Sequence, residues 1–136
     1  MEKEPILILT HGGWGNSLLR SVEMIAGKIT NVYEVALKPE DSLSDYLERV
    51  EEQVGNLSWT SNLLVLTDIK GGTPSNVALR LSKTHSLIAI SGLCASMLLE
   101  SVMKQEVKDG FTYEVAKEIQ QAVQESSQIL EVPQKN

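Results

Sequence analysis

Cysteine, basic residues and long apolar runs are scarce in this sequence, and each shortage excludes a class of protein. The only cysteine, Cys94, has no partner within the chain for a disulfide. Twelve lysines and arginines face eighteen aspartates and glutamates, and the formal net charge of −6 repels phosphate backbones and anionic lipids. No apolar run approaches the roughly 20 residues of a membrane helix, and the acidic start MEKEP does not resemble a secretory signal. We therefore expect a cytoplasmic protein without a nucleic-acid partner.

Several chemical signatures are also missing. No group of histidines, cysteines and carboxylates has the spacing of a metal site, and no serine or cysteine lies in a nucleophile elbow. We accordingly predict no metal and no cofactor, and a free-standing hydrolase is the least favoured interpretation. The 136 residues, 42% of them hydrophobic, contain no repeat or linker, which predicts a single domain over residues 1–136.

Short apolar runs alternate along the chain with longer segments of helical period. The runs are Ile6 to Leu9, Asn31 to Leu37, Leu63 to Thr67 and Leu87 to Ile90. This alternation is typical of βαβ units and predicts a doubly wound α/β fold, with a mostly parallel four-stranded sheet and helices on both faces. The first and third runs are continuously apolar, which indicates central strands, whereas the second is expected nearer an edge.

Five helices are predicted between and after these strands. Asp41 or Ser42 is expected to cap the second helix and Gly55 to end it. After the fifth helix, Gln128 to Val132 is predicted to form one more short strand.

Polar residues follow the strands at the sheet edge where open α/β folds bind ligands. His11 follows the first strand, Asp68 the third, and Ser91 with Gly92 the fourth. Because the first and third strands are commonly neighbours in doubly wound sheets, we expect His11 and Asp68 to touch.

The segment DIKGGTPSNVAL, which Asp68 opens, has the features of an anion site. Gly71 and Gly72 allow a sharp turn and a close approach to a ligand. Thr73 is a suitable N-cap, and Pro74 suits the first helical position. The helix start would then present free N–H groups and a positive dipole end to an anion.

Histidine, carboxylate and anion site together indicate phosphoryl transfer through histidine. A carboxylate that accepts the proton of one ring nitrogen fixes the tautomer and leaves the other nitrogen as nucleophile. The predicted catalytic residues are therefore His11 as nucleophile and Asp68 as its orienting partner. Backbone amides of the turn and the Thr73 hydroxyl could hold the phosphoryl oxygens, so Gly71, Gly72 and Thr73 are the predicted phosphate-binding residues.

Each residue also has a structural interpretation. A histidine at a strand end is often only hydrogen-bonded, and an aspartate there often belongs to a turn. His85 lies in a polar turn and is expected at the surface, while Cys94 is expected in the core or at a helix start. Trp14 either contacts a partner at the mouth of the site or serves as a partly buried anchor.

The chain resembles the IIA components of mannose-type sugar phosphotransferase systems, which depend on phosphoenolpyruvate. The resemblance is carried, in order and with comparable spacing, by ILTHGGWGNSLLRSVEMIAG, NVYEVALKPEDS, LLVLTDIKGGTPSNVALRL and ISGLCASMLLESVM. It implies a phosphocarrier that accepts a phosphoryl group on His11 from the protein HPr and passes it to a IIB component. The membrane components IIC and IID would use that group for sugar uptake, with the carrier associated peripherally with them. It also implies a homodimer that exchanges the C-terminal strand, for which Gln128 to Val132 is suited.

Two departures from the family pattern concern the site. Lys70 stands where the family commonly has an apolar residue, which alters the expected contact with HPr or adds positive charge near the phosphate. The loop SGLCASML lacks the usual asparagine and proline, so Leu93 through Ser96 receive no role. We expect the IIB partner to be a separate polypeptide and not a domain fused to this chain.

Two other functions stay open. One is the phosphocarrier subunit of a dihydroxyacetone kinase system, which shares the fold and a histidine near the start. The other is a regulatory module that binds a phosphorylated ligand at the Gly71 to Thr73 turn and transfers nothing.

Overall fold

The computed structural model describes residues 3–133, which contain four strands and five helices. The strands are β1 (Ile6–His11), β2 (Val32–Leu37), β3 (Leu63–Thr67) and β4 (Leu87–Ser91). The helices are α1 (Gly15–Ala26), α2 (Leu43–Gly55), α3 (Thr73–Leu81), α4 (Ala95–Met103) and α5 (Tyr113–Ser126). None of these helices has the length and apolarity needed to cross a membrane.

The sheet is parallel throughout and has the strand order β2-β1-β3-β4. The predicted central position of the first and third strands is confirmed, as is the edge position of the second. Leu9 of β1 is paired with Thr67 of β3, so the residues that follow these strands emerge side by side at the carboxyl edge. The adjacency on which the predicted His11–Asp68 contact depends is therefore present.

Alternate residues of the central strands pack into two cores, one on each face of the sheet. Leu7, Leu9 and Val65 belong to the core beneath α2 and α3. Ile6, Ile8, Leu64 and Leu66 belong to the core beneath α1, α4 and α5. Burial on both faces explains why these runs are continuously apolar, and it confirms the doubly wound arrangement. Because β1 is packed on both faces, the position of His11 at its end is held rigidly.

The ends of α2 follow the sequence signals. Ser42 is the N-cap, and its hydroxyl accepts from the Asp45 N–H while the Asp45 carboxylate accepts from the Ser42 N–H. This reciprocal pair is a capping box with aspartate in place of the usual glutamate. The helix ends at Gly55, as predicted.

The start of α3 differs from the prediction by one residue. Gly72, not Thr73, is the N-cap, and Pro74 occupies the second helical position. Gly72 has extended backbone angles, φ −81° and ψ 171°, and its carbonyl accepts from the Asn76 N–H. The helix begins one residue earlier than predicted because the Gly72 carbonyl already accepts this helical hydrogen bond. A Cβ atom at Gly72 would lie 2.9 Å from Cε1 of His11, so a larger residue here would displace the ring.

The predicted strand over residues 128–132 is not formed within a single chain. Residues 127–133 have no regular secondary structure, and Ile129, Leu130 and Val132 are 92%, 91% and 86% exposed. A strand needs a neighbouring edge to satisfy its backbone groups, and this segment pairs with none of the four strands described above. The strand is thus absent from the single chain, and its formation by exchange in a homodimer stays a prediction.

Candidate functional site

His11 and Asp68 meet at the carboxyl edge of the sheet. His11 is the last residue of β1, and Asp68 follows the last residue of β3. The His11 Nδ1 atom lies 3.1 Å from Oδ1 and 3.0 Å from Oδ2 of Asp68. The His11 backbone N–H also donates to Oδ2 at 2.7 Å. The predicted contact between His11 and Asp68 is therefore present, and the carboxylate binds the backbone N–H of the histidine as well as its ring.

Asp68 is buried and surrounded by donors. Its side chain is only 3% exposed. Besides the two His11 groups, the Trp14 indole Nε1–H donates to Oδ2 at 3.3 Å and the Ile69 N–H to Oδ1 at 2.9 Å. Burial alone raises the pKa of this carboxyl, but the hydrogen bonds from His11 and Trp14 outweigh it and hold the pKa below its usual range. Asp68 is therefore ionised at neutral pH.

An ionised carboxylate determines the tautomer of the His11 ring. A carboxylate only accepts hydrogen bonds, so Nδ1 carries the proton in this pair. In the neutral imidazole Nε2 is then unprotonated and has a free electron pair. The His11 side chain is 44% exposed, in contrast to its partner. The geometry places an unprotonated ring nitrogen on a partly exposed side chain, while the carboxylate that binds the other ring nitrogen stays buried.

The predicted phosphate-binding turn adjoins the imidazole. A Cβ atom added at Gly72 would lie 2.9 Å from Cε1 and 3.4 Å from Nε2 of His11, so the ring rests on the bare backbone of this residue. Gly71 has φ +84°, a conformation that L side chains rarely adopt. Thr73 begins α3 directly afterwards, and no side chain caps this helix start. Pro74 has no N–H, so the first-turn N–H groups without an intrahelical acceptor are those of Thr73 and Ser75.

Trp14 fits the second of the two interpretations that the sequence left open, a partly buried anchor, while contact with a partner stays a prediction. Its indole N–H reaches Asp68, which makes the residue an anchor of the carboxylate. The same residue is 39% exposed beside the open His11 ring. Sequence reasoning did not find the Asp68 contact, because the direction of an indole in a glycine-rich turn is not encoded in a motif.

Glu34 is the residue near the site that sequence reasoning missed. Glu34 lies in the middle of β2, and its carboxylate accepts from the Thr10 hydroxyl and from the N–H groups of Gly15 and Asn16. Thr10 directly precedes His11 in the chain, and Gly15 directly follows Trp14. The available signal was a single charged residue within the apolar run NVYEVAL.

Other candidates lie elsewhere. His85 precedes β4 and therefore lies at the amino end of the parallel strands, opposite to His11. The centroid of its ring is 6.5 Å from that of Trp59. Cys94 is the N-cap of α4. Lys70 and Ser91 line a cleft of about 320 Å³ with Gly71, and His11 is not part of that lining. Among residues 3–133, no three histidines, cysteines or carboxylates are grouped to hold a metal ion.

The fold and the site together define a class of doubly wound α/β domain with a carboxylate-oriented histidine at the carboxyl edge of a parallel sheet. The family model described as PTS system fructose IIA component matches residues 5–120. The chain belongs to this family of IIA components of sugar phosphotransferase systems, as its resemblance predicted.

Individual relatives agree with this assignment. The PTS system mannose-specific EIIAB component of Escherichia coli strain K12 is 33% identical over 113 residues, which are 82% of this chain and 35% of that protein. The chain thus spans about a third of the length of that relative. The PTS system sorbose-specific EIIA component of Lacticaseibacillus casei is 27% identical over 70% of this chain and 69% of its own. A solved mannose/sorbose specific IIA subunit from Enterococcus faecalis superposes with a TM-score of 0.84, at 28% identity, over 99% of this chain and 100% of that one.

Proposed function

We propose that this protein is a cytoplasmic phosphocarrier, in which His11 accepts a phosphoryl group from phosphorylated HPr and passes it to a IIB component. The IIC and IID membrane components would consume the group during sugar uptake. The observation that carries the proposal is the contact of His11 Nδ1 with a buried, ionised Asp68, which leaves Nε2 unprotonated on a side chain that is 44% exposed. Family membership supports the same role.

The transfer step follows from this tautomer. The Nε2 electron pair attacks phosphorus, the new Nε2–P bond forms, and the N–P bond of the donor histidine breaks with its electrons returning to the donor nitrogen. The Nδ1 proton stays between the ring and Asp68, so the positive charge that develops on the imidazole lies against a fixed carboxylate. Transfer to the acceptor reverses these roles.

The turn at Gly71, Gly72 and Thr73 would hold the phosphoryl oxygens. The uncapped N–H groups at the start of α3 and the positive end of its dipole favour an anion beside Nε2. The absence of a Cβ at Gly72 lets the ring and the backbone approach together. Such positioning and electrostatic stabilisation account for most of the catalysis of phosphoryl transfer.

The two histidines of the chain provide a matched experiment. Incubation with phosphoenolpyruvate, enzyme I and HPr should yield an acid-labile adduct of one phosphate per chain. His11→Ala should abolish the adduct, whereas His85→Ala, at the other edge of the sheet, should leave it intact. Full labelling of the His11→Ala variant would overturn the assignment of the nucleophile.

Two further outcomes separate the alternatives. A phosphoryl group that moves on to a dihydroxyacetone kinase subunit, and not to a IIB component, would favour that system. Binding of a phosphorylated ligand that survives His11→Ala, without any phosphohistidine, would favour a regulatory module.

We also propose that the protein is a homodimer in which the apolar tail of one chain lies along its partner. The exposed tail residues Ile129, Leu130 and Val132 need an apolar surface and a strand edge. The outer edge of β4 and helix α5 border a cleft of about 390 Å³, lined in part by Ile88, Ile90 and Val123, which offers both. Light scattering should give a dimer mass for the full chain and a monomer mass for Leu130→Asp, while a dimer in both would contradict the proposed exchange.

A further inference from the structure

We propose that Glu34 is a positioning residue, which sets the geometry of the His11–Asp68 pair by fixing the loop that carries Trp14. The consequence for transfer rate rests on the proposed phosphocarrier function. The consequence for the geometry of the site does not depend on it.

A single carboxylate joins β2 to the start of α1. Glu34 Oε2 accepts from the Gly15 N–H at 2.8 Å and from the Thr10 hydroxyl, and Oε1 accepts from the Asn16 N–H at 3.0 Å. Thr10 is fully buried. These contacts span residues 18 to 24 positions away in sequence, so they arise only when β1 and β2 pair.

The carboxylate takes the place of a missing helix cap. Helix α1 begins at Gly15, and its N-cap residue Trp14 forms no side-chain cap hydrogen bond. The first N–H groups of a helix need acceptors, and a negative charge at this end is favoured by the helix dipole. Glu34 supplies both from a neighbouring strand.

Gly15 is matched to this arrangement. A Cβ atom at that position would collide with Glu34 Oε2 and lie 2.8 Å from Glu34 Cδ. Its backbone φ is not in the left-handed region, so the glycine is required by the close approach of the carboxylate and not by the turn. The glycine at position 15 of the loop and the carboxylate of Glu34 are therefore matched to each other.

The contacts of Glu34 act on the chain neighbours of the site residues. Thr10 precedes His11, and Gly15 follows Trp14, whose indole donates to Asp68 at 3.3 Å. One carboxylate thus fixes the spacing between the end of β1 and the start of α1. Loss of the Glu34 contacts would free the Trp14 indole from Asp68. The Asp68 carboxylate would then lose one of the hydrogen bonds that keep it oriented toward Nδ1 of His11.

Two substitutions should have graded effects. Glu34→Gln keeps one acceptor oxygen, which can still serve Thr10 and Gly15, but it turns an amide NH₂ toward the N–H of Asn16. Glu34→Ala removes all three contacts. The matched control is Glu23→Gln, because the Glu23 carboxylate also accepts from a backbone N–H, that of Ile29 at 3.0 Å, but does so beyond the other end of α1.

The primary readout is nuclear magnetic resonance of the two tryptophan indole N–H groups. In the Glu34 variants the Trp14 signal should shift and exchange with solvent roughly tenfold faster, the factor expected for loss of one hydrogen bond. The Trp59 signal should not change. The His11 ring ¹⁵N shifts should report a lower fraction of the Nδ1-protonated tautomer, and Glu34→Ala should exceed Glu34→Gln in each measure.

The rate of His11 phosphorylation should fall in the same order in the full chain. Unchanged Trp14 and His11 signals in folded Glu34→Ala would overturn the proposal, as would equal effects from Glu23→Gln. If the alanine variant does not fold, the glutamine variant decides by the same signals. Since these signals need no phosphoryl donor, a failure of the phosphocarrier function would leave the positioning test intact and distinguishable.

Discussion

Replacement of Gly72 by alanine tests whether the His11 ring must rest on bare backbone. The backbone angles of Gly72, φ −81° and ψ 171°, are ones that alanine adopts without strain. The added Cβ would lie 2.9 Å from His11 Cε1, whereas ordinary contacts begin at 3.4 Å. The ring, at the exposed end of β1, must therefore move by about half an ångström, the difference between these two distances.

The magnitude follows from the hydrogen bond that this movement disturbs. Nδ1 is already 3.0 and 3.1 Å from the two Asp68 oxygens, so a shift of this size weakens or breaks the contact. A hydrogen bond to a charged group contributes about 1.5 to 3 kcal/mol. At about 1.4 kcal/mol for each factor of ten, the rate of His11 phosphorylation should fall roughly 10-fold to 100-fold. Stability should fall by only about 1 kcal/mol, the cost of alanine at an N-cap.

The assay is single-turnover phosphorylation by phosphorylated HPr in a quenched-flow instrument, with urea unfolding in parallel. Gly55→Ala is the matched control, because a Cβ there meets open space and the backbone φ is not positive. A rate within about twofold of the original protein would refute the reasoning, since that factor is far smaller than one charged hydrogen bond. Loss of cooperative unfolding would instead show that Gly72 serves the fold.

Three further outcomes are expected. Burial raises the pKa of Asp68, but its hydrogen bonds lower the pKa by more, so the folded-state pKa lies below the unfolded value of about 3.9. The ionised carboxylate should therefore stabilise the fold above about pH 3.9, and this stabilisation should be lost as the pH falls through the folded-state pKa. Urea unfolding in steps from neutral to acid pH should show a smaller decline in the free energy of unfolding for Asp68→Asn than for the original protein. Equal declines would contradict a lowered pKa for Asp68. Ser42→Ala breaks the capping box with Asp45 and should cost about 1 kcal/mol in urea unfolding without slowing phosphorylation. Tyr46→Phe removes the hydroxyl that donates to the buried Val35 carbonyl at 2.8 Å and should cost about 1 to 3 kcal/mol; a neutral effect would mean that water replaces the donor.

The sequence alone was sufficient for the four strands and five helices of the single chain and for the contact between His11 and Asp68. Hydrophobic period separates strands from helices because a strand repeats every two residues and a helix every 3.6. Continuous apolar runs marked β1 and β3 as central because both of their faces are covered. His11 and Asp68 could be paired because parallel neighbours end at the same edge.

Local signals were less reliable where a tertiary contact competes with them. Thr73 has the better intrinsic capping side chain, yet Gly72 is the cap, at a position where a Cβ would lie 2.9 Å from the His11 ring. The apolar pattern at residues 128–132 is suited to a strand, but a single chain leaves that segment unpaired. Strand propensity cannot supply the neighbouring edge on which a strand depends.

The sequence by itself thus determined the order of strands and helices, the apolar central strands, and the presence of a histidine and a carboxylate at their ends. Only the tertiary structure decided that Trp14 reaches Asp68, that Gly72 lies under the imidazole, and that Glu34 anchors the loop between His11 and α1. The physical reason is that these contacts join residues far apart in the chain, from 19 positions for Gly15 and Glu34 to 61 positions for His11 and Gly72. Their distances and directions are set by strand pairing and by the packing of helices on the sheet, which no local period encodes.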